Sequence, residues 1–335
     1  MKKSILILYT GGTIGMAKTP TGYQPTAGLL AKLMAEERVF QHADMPNYQI
    51  MEYAPLIDSS NMTPEHWNTL ATDIVNAYDQ YDGFVILHGT DTMAYTACAL
   101  SFMIQGLNKP VILTGAQVSL VEAHSDAREN LISALLLASR YCFPEVAILF
   151  NHYLLRGNRA HKIDSLGYNA FLSPNYPVLA NVGSELVAHP ELFCAPDQRP
   201  LATHQYQSIA MAHFYFFPGV DFKILEIVLD MPLKALLLHT YGSGNVPTYD
   251  QRIFSLLEKA IKRGLVIANV SQCLKGQVNM ASYATGQALQ QIGVISARDM
   301  TPEAATVKLQ FLLSISHDPH WVRQQYGLDL RGELS

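Results

Sequence analysis

Cysteine is scarce in this sequence. The 335 residues hold four, Cys98, Cys142, Cys194 and Cys273, far apart and with no C-x-x-C pair. That spacing argues against a disulfide framework and against a thiolate zinc site, and the plain expectation for each is a small buried hydrophobe. Charge is sparse as well. Asp, Glu, Lys and Arg make up 15% of the chain against 49% apolar residues, which excludes disorder and calls for a large core. With 23 basic and 28 acidic residues the formal charge is −5, and no basic stripe offers a footprint for nucleic acid. No apolar run approaches the roughly 18 residues of a membrane span. Lys2 and Lys3 precede an apolar run at 5–8, but it stops at Thr10-Gly11-Gly12, too short for a secretory signal and without a cleavage site. A soluble protein in the cytoplasm is expected.

What is present is an alternation of short apolar runs with helical patterns. Residues 4–9, 48–53, 84–88, 111–114 and 146–150 are rich in Ile, Val and Leu and bounded by turn residues, as buried strands are. Between them, Thr63-Pro64-Glu65-His66 supplies an N-cap with Pro at the first helical position, predicting a helix to about residue 81. Further helices are predicted over 91–105 and 127–140. Such βαβα order implies a mainly parallel sheet flanked by helices. Five prolines between 174 and 200 interrupt the periodicity, and the alternation then resumes with strands at 209–216, 233–239 and 265–270 and helices at 222–229, 248–263, 281–291 and 302–316. The expected architecture is two α/β domains: a larger N-terminal catalytic one over 1–190, a linker over 191–210, and a smaller parallel-sheet domain over 211–335.

Two threonine turns carry the chemistry. Thr10-Gly11-Gly12-Thr13-Ile14-Gly15 follows the first strand, yet it has neither the dinucleotide-binding nor the P-loop glycine spacing. Its glycines can bend freely and leave the Thr13 hydroxyl accessible; a plain turn threonine would fit the same hexapeptide. Residues 83–88 run likewise into Gly89-Thr90-Asp91-Thr92, where Thr90 or Asp91 could equally be the N-cap of the next helix and His88 a packed core residue. Both turns fall at the carboxyl ends of parallel strands, where α/β ligands bind. A hydroxyl becomes a nucleophile only with a proton acceptor nearby, and a Thr–Asp pair close to a lysine makes such a relay. Lys162, in the polar stretch Arg156-Gly157-Asn158-Arg159-Ala160-His161-Lys162, is the lysine of choice, although an ordinary surface lysine reads the same way.

The two turns, some eighty residues apart, resemble the paired signatures of the bacterial-type L-asparaginase family, and within it the cytoplasmic type I enzymes; the resemblance runs along essentially the whole chain. It implies that Thr13 is the nucleophile on the side-chain amide of L-asparagine, that Tyr23 helps with its proton, and that Thr90, Asp91 and Lys162 form the second catalytic group. Asp58, Ser59 and Ser60 would hold the amino-acid end of the substrate together with Thr90 and Asp91, a carboxylate for the ammonium and hydroxyl and N–H donors for the carboxylate. The implied course is a β-aspartyl ester on Thr13, release of ammonia, then hydrolysis, with no metal or organic cofactor. A homotetramer, a dimer of dimers, is implied too. A regulatory asparagine site would fall at His239, Asn245, Ser271, Gln272 and Cys273. Two departures stand out. His239 occupies a position where arginine is expected, and a neutral imidazole lacks the bidentate grip of a guanidinium, which weakens the case for control by asparagine. Ala116, in Thr114-Gly115-Ala116-Gln117, stands where serine is expected. Glutaminase activity is an alternative because one methylene discriminates modestly, as is a non-catalytic amino-acid sensor on the same scaffold. The tRNA-dependent amidotransferase subunit with the same amidase fold is disfavoured, because it carries an extra N-terminal domain and the first motif here begins at residue 10.

Overall fold

The computed structural model describes residues 2–20 and 22–335. The chain divides into two compact units, Met1–His204 and Gln205–Ser335. The break lies inside the Pro-punctuated 191–210 stretch, whose first part is bonded to the first unit. Cys194 N–H donates to Glu145 at 2.9 Å, and Ala202 and Thr203 pair with Gln105 and Ile104.

The first unit is built on an eight-stranded sheet. Ser4–Gly11 is flanked in parallel by the edge strand Asn47–Ile57 and by Gly83–Leu87. Val111–Thr114 and Val146–Phe150 continue the parallel order. Ile5, Ile7, Leu8, Val85, Ile86 and Ile112 are wholly buried, because helices cover both faces and continuous apolar runs replace alternation. Beyond Phe150 the sheet turns antiparallel through Tyr153–Arg156, Ala180–Val182 and Leu186–Ala188. These strands of three or four residues were not expected, since such short pieces show no period.

The helices follow their start signals. Thr63 opens Pro64–Ala77 through a capping box with His66, and a 3₁₀ turn, Tyr78–Gln80, completes the predicted length. Ala127–Arg140 has the bounds expected of it. The helix expected from 91 begins instead at Met93. Thr92, which stands at its N-cap position, donates its hydroxyl to Ser59 O at 2.7 Å, so Thr90 and Asp91 stay in a turn.

In the second unit Met211–Tyr215, Ala235–Thr240, Val266–Ser271 and Ile295–Ser296 form a four-stranded, all-parallel sheet. The two-residue last strand and the final helix, Pro319–Tyr326, were not foreseen. Helix starts expected at 248 and 281 move to Arg252 and Ala284. Lys308 and Glu333, both completely buried, form an ion pair that fastens the last residues to helix Pro302–Ile315. The cysteines correct one expectation: Cys98 is buried and Cys194 partly so, but Cys142 and Cys273 are exposed, since both follow the end of a regular element where the chain meets solvent.

Candidate active site

Three strand ends of the first unit meet backbone to backbone. Gly11 and Gly12 adopt φ of 132° and 87°, which only glycine tolerates, and this bends the chain into the 3₁₀ turn Thr13–Gly15. A Cβ on Gly11 would fall 2.3 Å from Ile57 O, and one on Gly12 only 2.5 Å from Gly89 N. A Cβ on Gly89 would lie 2.4 Å from Ser59 Oγ. Glycine at all three positions therefore lets the Thr13 turn, the Asp58-Ser59-Ser60 loop and the Gly89-Thr90 turn crowd into one place. Thr10 Oγ1 ties the first strand to the third by donating to Leu87 O at 2.9 Å.

Each loop presents its functional groups differently. Ser59 is buried while Asp58 and Ser60 are exposed, and Asp58 caps its own turn by accepting from Ser60 N–H at 3.0 Å. Thr90 is 8% exposed. The Lys162 ammonium donates to Thr90 Oγ1 at 2.8 Å and to Asp91 Oδ1 at 2.7 Å. The lysine thus belongs to the turn, despite its ordinary appearance in sequence. It is carried there by the short strand His161–Lys162, paired antiparallel with Phe171–Leu172. Asp91 is well exposed and open to a ligand.

His88 is a satisfied core histidine. Gly89 O only accepts, so the 2.7 Å contact puts the ring proton on Nδ1. Nε2 then accepts from Thr96 Oγ1 at 2.9 Å, and Thr96 in turn accepts from Trp67 Nε1 at 2.9 Å. Complete burial pushes its pKa down to about 4, so the ring is neutral and serves to hold the Gly89 carbonyl.

Several residues of the site escaped the sequence. Gln117 Oε1 lies 3.4 Å from Thr90 Oγ1, and its Nε2 donates to Gly167 O at 3.0 Å. Asp126 and Asn130 hold the turn that carries Gln117. The available signal was the polar Gln117 after an apolar strand and Asp126 at a helix start, which reads as a cap. Ala116 is buried and presents no polar group. Tyr23 lies on the second strand of a hairpin, Met16–Thr19 with Gly22–Pro25, which packs against the Thr13 turn; its hydroxyl donates to Glu122 Oε1 at 2.5 Å.

The residues assigned to regulation lie in the second unit at the carboxyl ends of its strands. His239 shares a 3.1 Å hydrogen bond with His213. Gln272 Nε2 donates to Phe216 O and His239 O at 2.7 and 2.8 Å. Thr285 Oγ1 donates to Asn245 Oδ1 at 2.6 Å, Ser271 Oγ to Gly242 O at 2.6 Å, and Cys273 N–H to Ser271 Oγ at 3.0 Å. Among the described residues no cluster of three or more His, Cys, Asp or Glu could hold a metal, and no helix is long and apolar enough to cross a membrane.

Residues 4–193 match the family described as "Asparaginase, N-terminal", and residues 211–326 match "Glutaminase/Asparaginase C-terminal domain". The chain is 45% identical over 334 residues to L-asparaginase 1 of Escherichia coli K12, covering 100% of this chain and 98% of that protein. Its fold superimposes on L-asparaginase I from Vibrio cholerae with a TM-score of 0.93 at 41% identity and full coverage of both chains. It superimposes on the probable cytoplasmic L-asparaginase from Campylobacter jejuni with 0.80 at 25%, covering 97% and 99%. The paired threonine turns, the two parallel-sheet units and this full-length likeness agree, and the chain belongs to the asparaginase family.

Proposed function

We propose that this enzyme hydrolyses L-asparagine to L-aspartate and ammonia through a covalent β-aspartyl ester on Thr13. The observation that carries the mechanism is the Lys162–Thr90–Asp91 contact in a turn whose backbone touches the Thr13 turn. Thr13 attacks the amide carbon with its hydroxyl hydrogen directed at the Tyr23 oxygen, and that proton leaves with the departing ammonia. Thr90, with Lys162 holding charge beside it, passes protons to the departing ammonia and from the water that hydrolyses the ester. Asp58, Ser59 and Ser60 bind the amino-acid end with Thr90 and Asp91; the exposed Asp91 and Asp58 carboxylates suit an ammonium, and the serine hydroxyls and turn N–H groups suit a carboxylate. No step calls for a metal or organic cofactor.

The test is ammonia release from L-asparagine by the purified protein, with Thr13→Ala abolishing turnover in a folded protein. Turnover by Thr13→Ala near the wild-type rate would remove Thr13 from the mechanism. Running L-glutamine in parallel measures the glutaminase alternative, which the name of the matching C-terminal family keeps in view. A sensor would bind without releasing ammonia.

A cytoplasmic homotetramer is part of the same proposal. The free cysteines and the Campylobacter neighbour, described as a probable cytoplasmic L-asparaginase, support the location. The second unit exposes Tyr215, Phe217, Ile224, Ile227 and Met231, each more than half exposed, and apolar surface of this kind suits contact between copies. Light scattering gives the mass directly.

A further inference from the structure

The proposed mechanism needs the Tyr23 phenol beside the Thr13 hydroxyl, so something must direct it there from the hairpin that packs against the Thr13 turn. Packing does not, because the side chain is 45% exposed. The phenol instead donates to Glu122, which lies 99 positions further along the chain in a tight turn closed by Glu122 N–H to Ser119 O at 3.0 Å and Ser125 N–H to Glu122 O at 3.2 Å. That turn is fastened to the nucleophile loop at two points. Leu120 N–H donates to Ile14 O at 3.1 Å, and Ser119 Oγ donates to Met16 O at 2.5 Å. The contacts therefore close a ring: from Thr13 through the hairpin to Tyr23, across the phenol to Glu122, and back through Ser119 and Leu120 to the residues that follow Thr13.

We propose that Glu122 is the positioning residue for Tyr23, holding the hairpin over the nucleophile and fixing the direction of the phenol hydrogen. The inference rests on the proposed role of Tyr23 as the proton partner of Thr13. A phenol has a single hydrogen, and a carboxylate can only accept. Committing that hydrogen to Glu122 leaves the oxygen lone pairs for the Thr13 hydroxyl. The same bond pushes the Tyr23 pKa upward from its ordinary value. Because the pair is solvent-exposed, water competes with it.

The experiment compares Glu122→Ala, Glu122→Gln, Tyr23→Phe and the Tyr23→Phe/Glu122→Ala double variant in the full chain, with thermal melts as the folding check. Glu122→Ala lowers kcat for L-asparagine about tenfold or more while KM stays within about threefold, the pattern of a lost proton-transfer geometry. Glu122→Gln, whose side-chain carbonyl still accepts the phenol hydrogen, keeps kcat within about threefold of wild type. In the Tyr23→Phe background Glu122→Ala has no further effect beyond about twofold, because the two act as a unit. Wild-type kcat in Glu122→Ala alongside an impaired Tyr23→Phe overturns the role of Glu122 and leaves the site intact. So does an equal loss in both backgrounds, which would mean that Glu122 acts without Tyr23. Wild-type kcat in Tyr23→Phe removes Tyr23 from the mechanism, and the role of Glu122 with it.

Discussion

Asp126 receives the backbone N–H of Gln117 between its two carboxylate oxygens, at 3.1 and 3.0 Å. The same carboxylate accepts from Val118 N–H at 2.9 Å and from Asn130 Nδ2 at 3.2 Å, and Asn130 also donates to Gly115 O at 3.0 Å. One buried acid therefore sets the turn that brings Gln117 to Thr90. Asp126→Ala leaves these N–H donors buried without their acceptor. The expected cost is about 2–4 kcal/mol, read as a lower urea midpoint with unchanged slope, together with a loss of turnover. Asp126→Asn, which keeps one carbonyl acceptor, should lose less of both.

Lys162 is expected to matter to rate more than to stability. Its ammonium lies on the Thr90 hydroxyl and on Asp91, with the side chain 19% exposed, so Lys162→Met removes the charge and keeps most of the stem packing. The kcat should fall by roughly 10²–10⁴, with the circular dichroism spectrum retained. Lys162→Arg should not restore it, because a planar guanidinium cannot occupy the position of a compact ammonium. Near-normal kcat in Lys162→Met would refute the relay.

How far the sequence reached can be judged from these same residues. Ile5 to Leu8 and Phe84 to Leu87 announced buried strands because both faces of the sheet are covered, and the glycines beside Thr13 and Thr90 marked the turns at their ends. Lys162 could be nominated but not distinguished from a surface lysine, since its partners lie 71 and 72 positions away and no local pattern encodes such a contact. Asp126 and Glu122 were invisible for the same reason: a helix cap and a surface acid have the same local signature whatever they hold. The antiparallel edge of the first sheet, Ala180–Val182 with Leu186–Ala188, is fixed by pairing with strands already in place rather than by its own residues.

Gly12→Ala tests whether the two threonine turns must touch. Gly12 has φ 87° and ψ 172°, a region that costs an L-residue about 1–3 kcal/mol, and the new methyl would lie 2.5 Å from Gly89 N. Backbone cannot step aside as a flexible side chain can. The variant should lose at least about 100-fold in kcat/KM, with a modest fall in melting temperature. Full activity would mean that the turns need not be in contact for catalysis.

Stability should decline on acidification in a way that His88 sets in part. Its folded pKa, pushed to about 4 by complete burial, lies below the roughly 6.5 of an unfolded histidine, so the folded state binds fewer protons between those values. The contribution is fully present above about pH 6.5 and is lost as pH falls through about 4, amounting to about 3 kcal/mol in all. Urea midpoints measured from pH 7.5 down to about 4 should fall more steeply for wild type than for His88→Gln, which has no proton to gain. Parallel curves would show that His88 does not titrate on unfolding.

Control by asparagine turns on one proton. Thr306 Oγ1 donates its hydrogen to Pro302 O at 2.6 Å, so in its 3.3 Å contact with His213 Nε2 it must accept, which puts the His213 proton on Nε2. His213 Nδ1 is then the acceptor in the 3.1 Å contact with His239 Nε2, and His239 is the donor. Burial, with His213 adding to it, pushes the His239 pKa down to about 4, so at neutral pH its single N–H is already committed. Gln272 Nε2 is likewise committed to two backbone carbonyls. A carboxylate arriving here meets neither a positive charge nor a free donor from these side chains. Rate against asparagine concentration should therefore be hyperbolic, with a Hill coefficient of about 1, and His239→Arg should introduce a sigmoidal response if the remaining residues still outline the site. A steeply sigmoidal curve from the wild-type enzyme would show that the effector is gripped without arginine, and the hydrogen-bond order deduced for His213 and His239 would then have to reverse when asparagine binds.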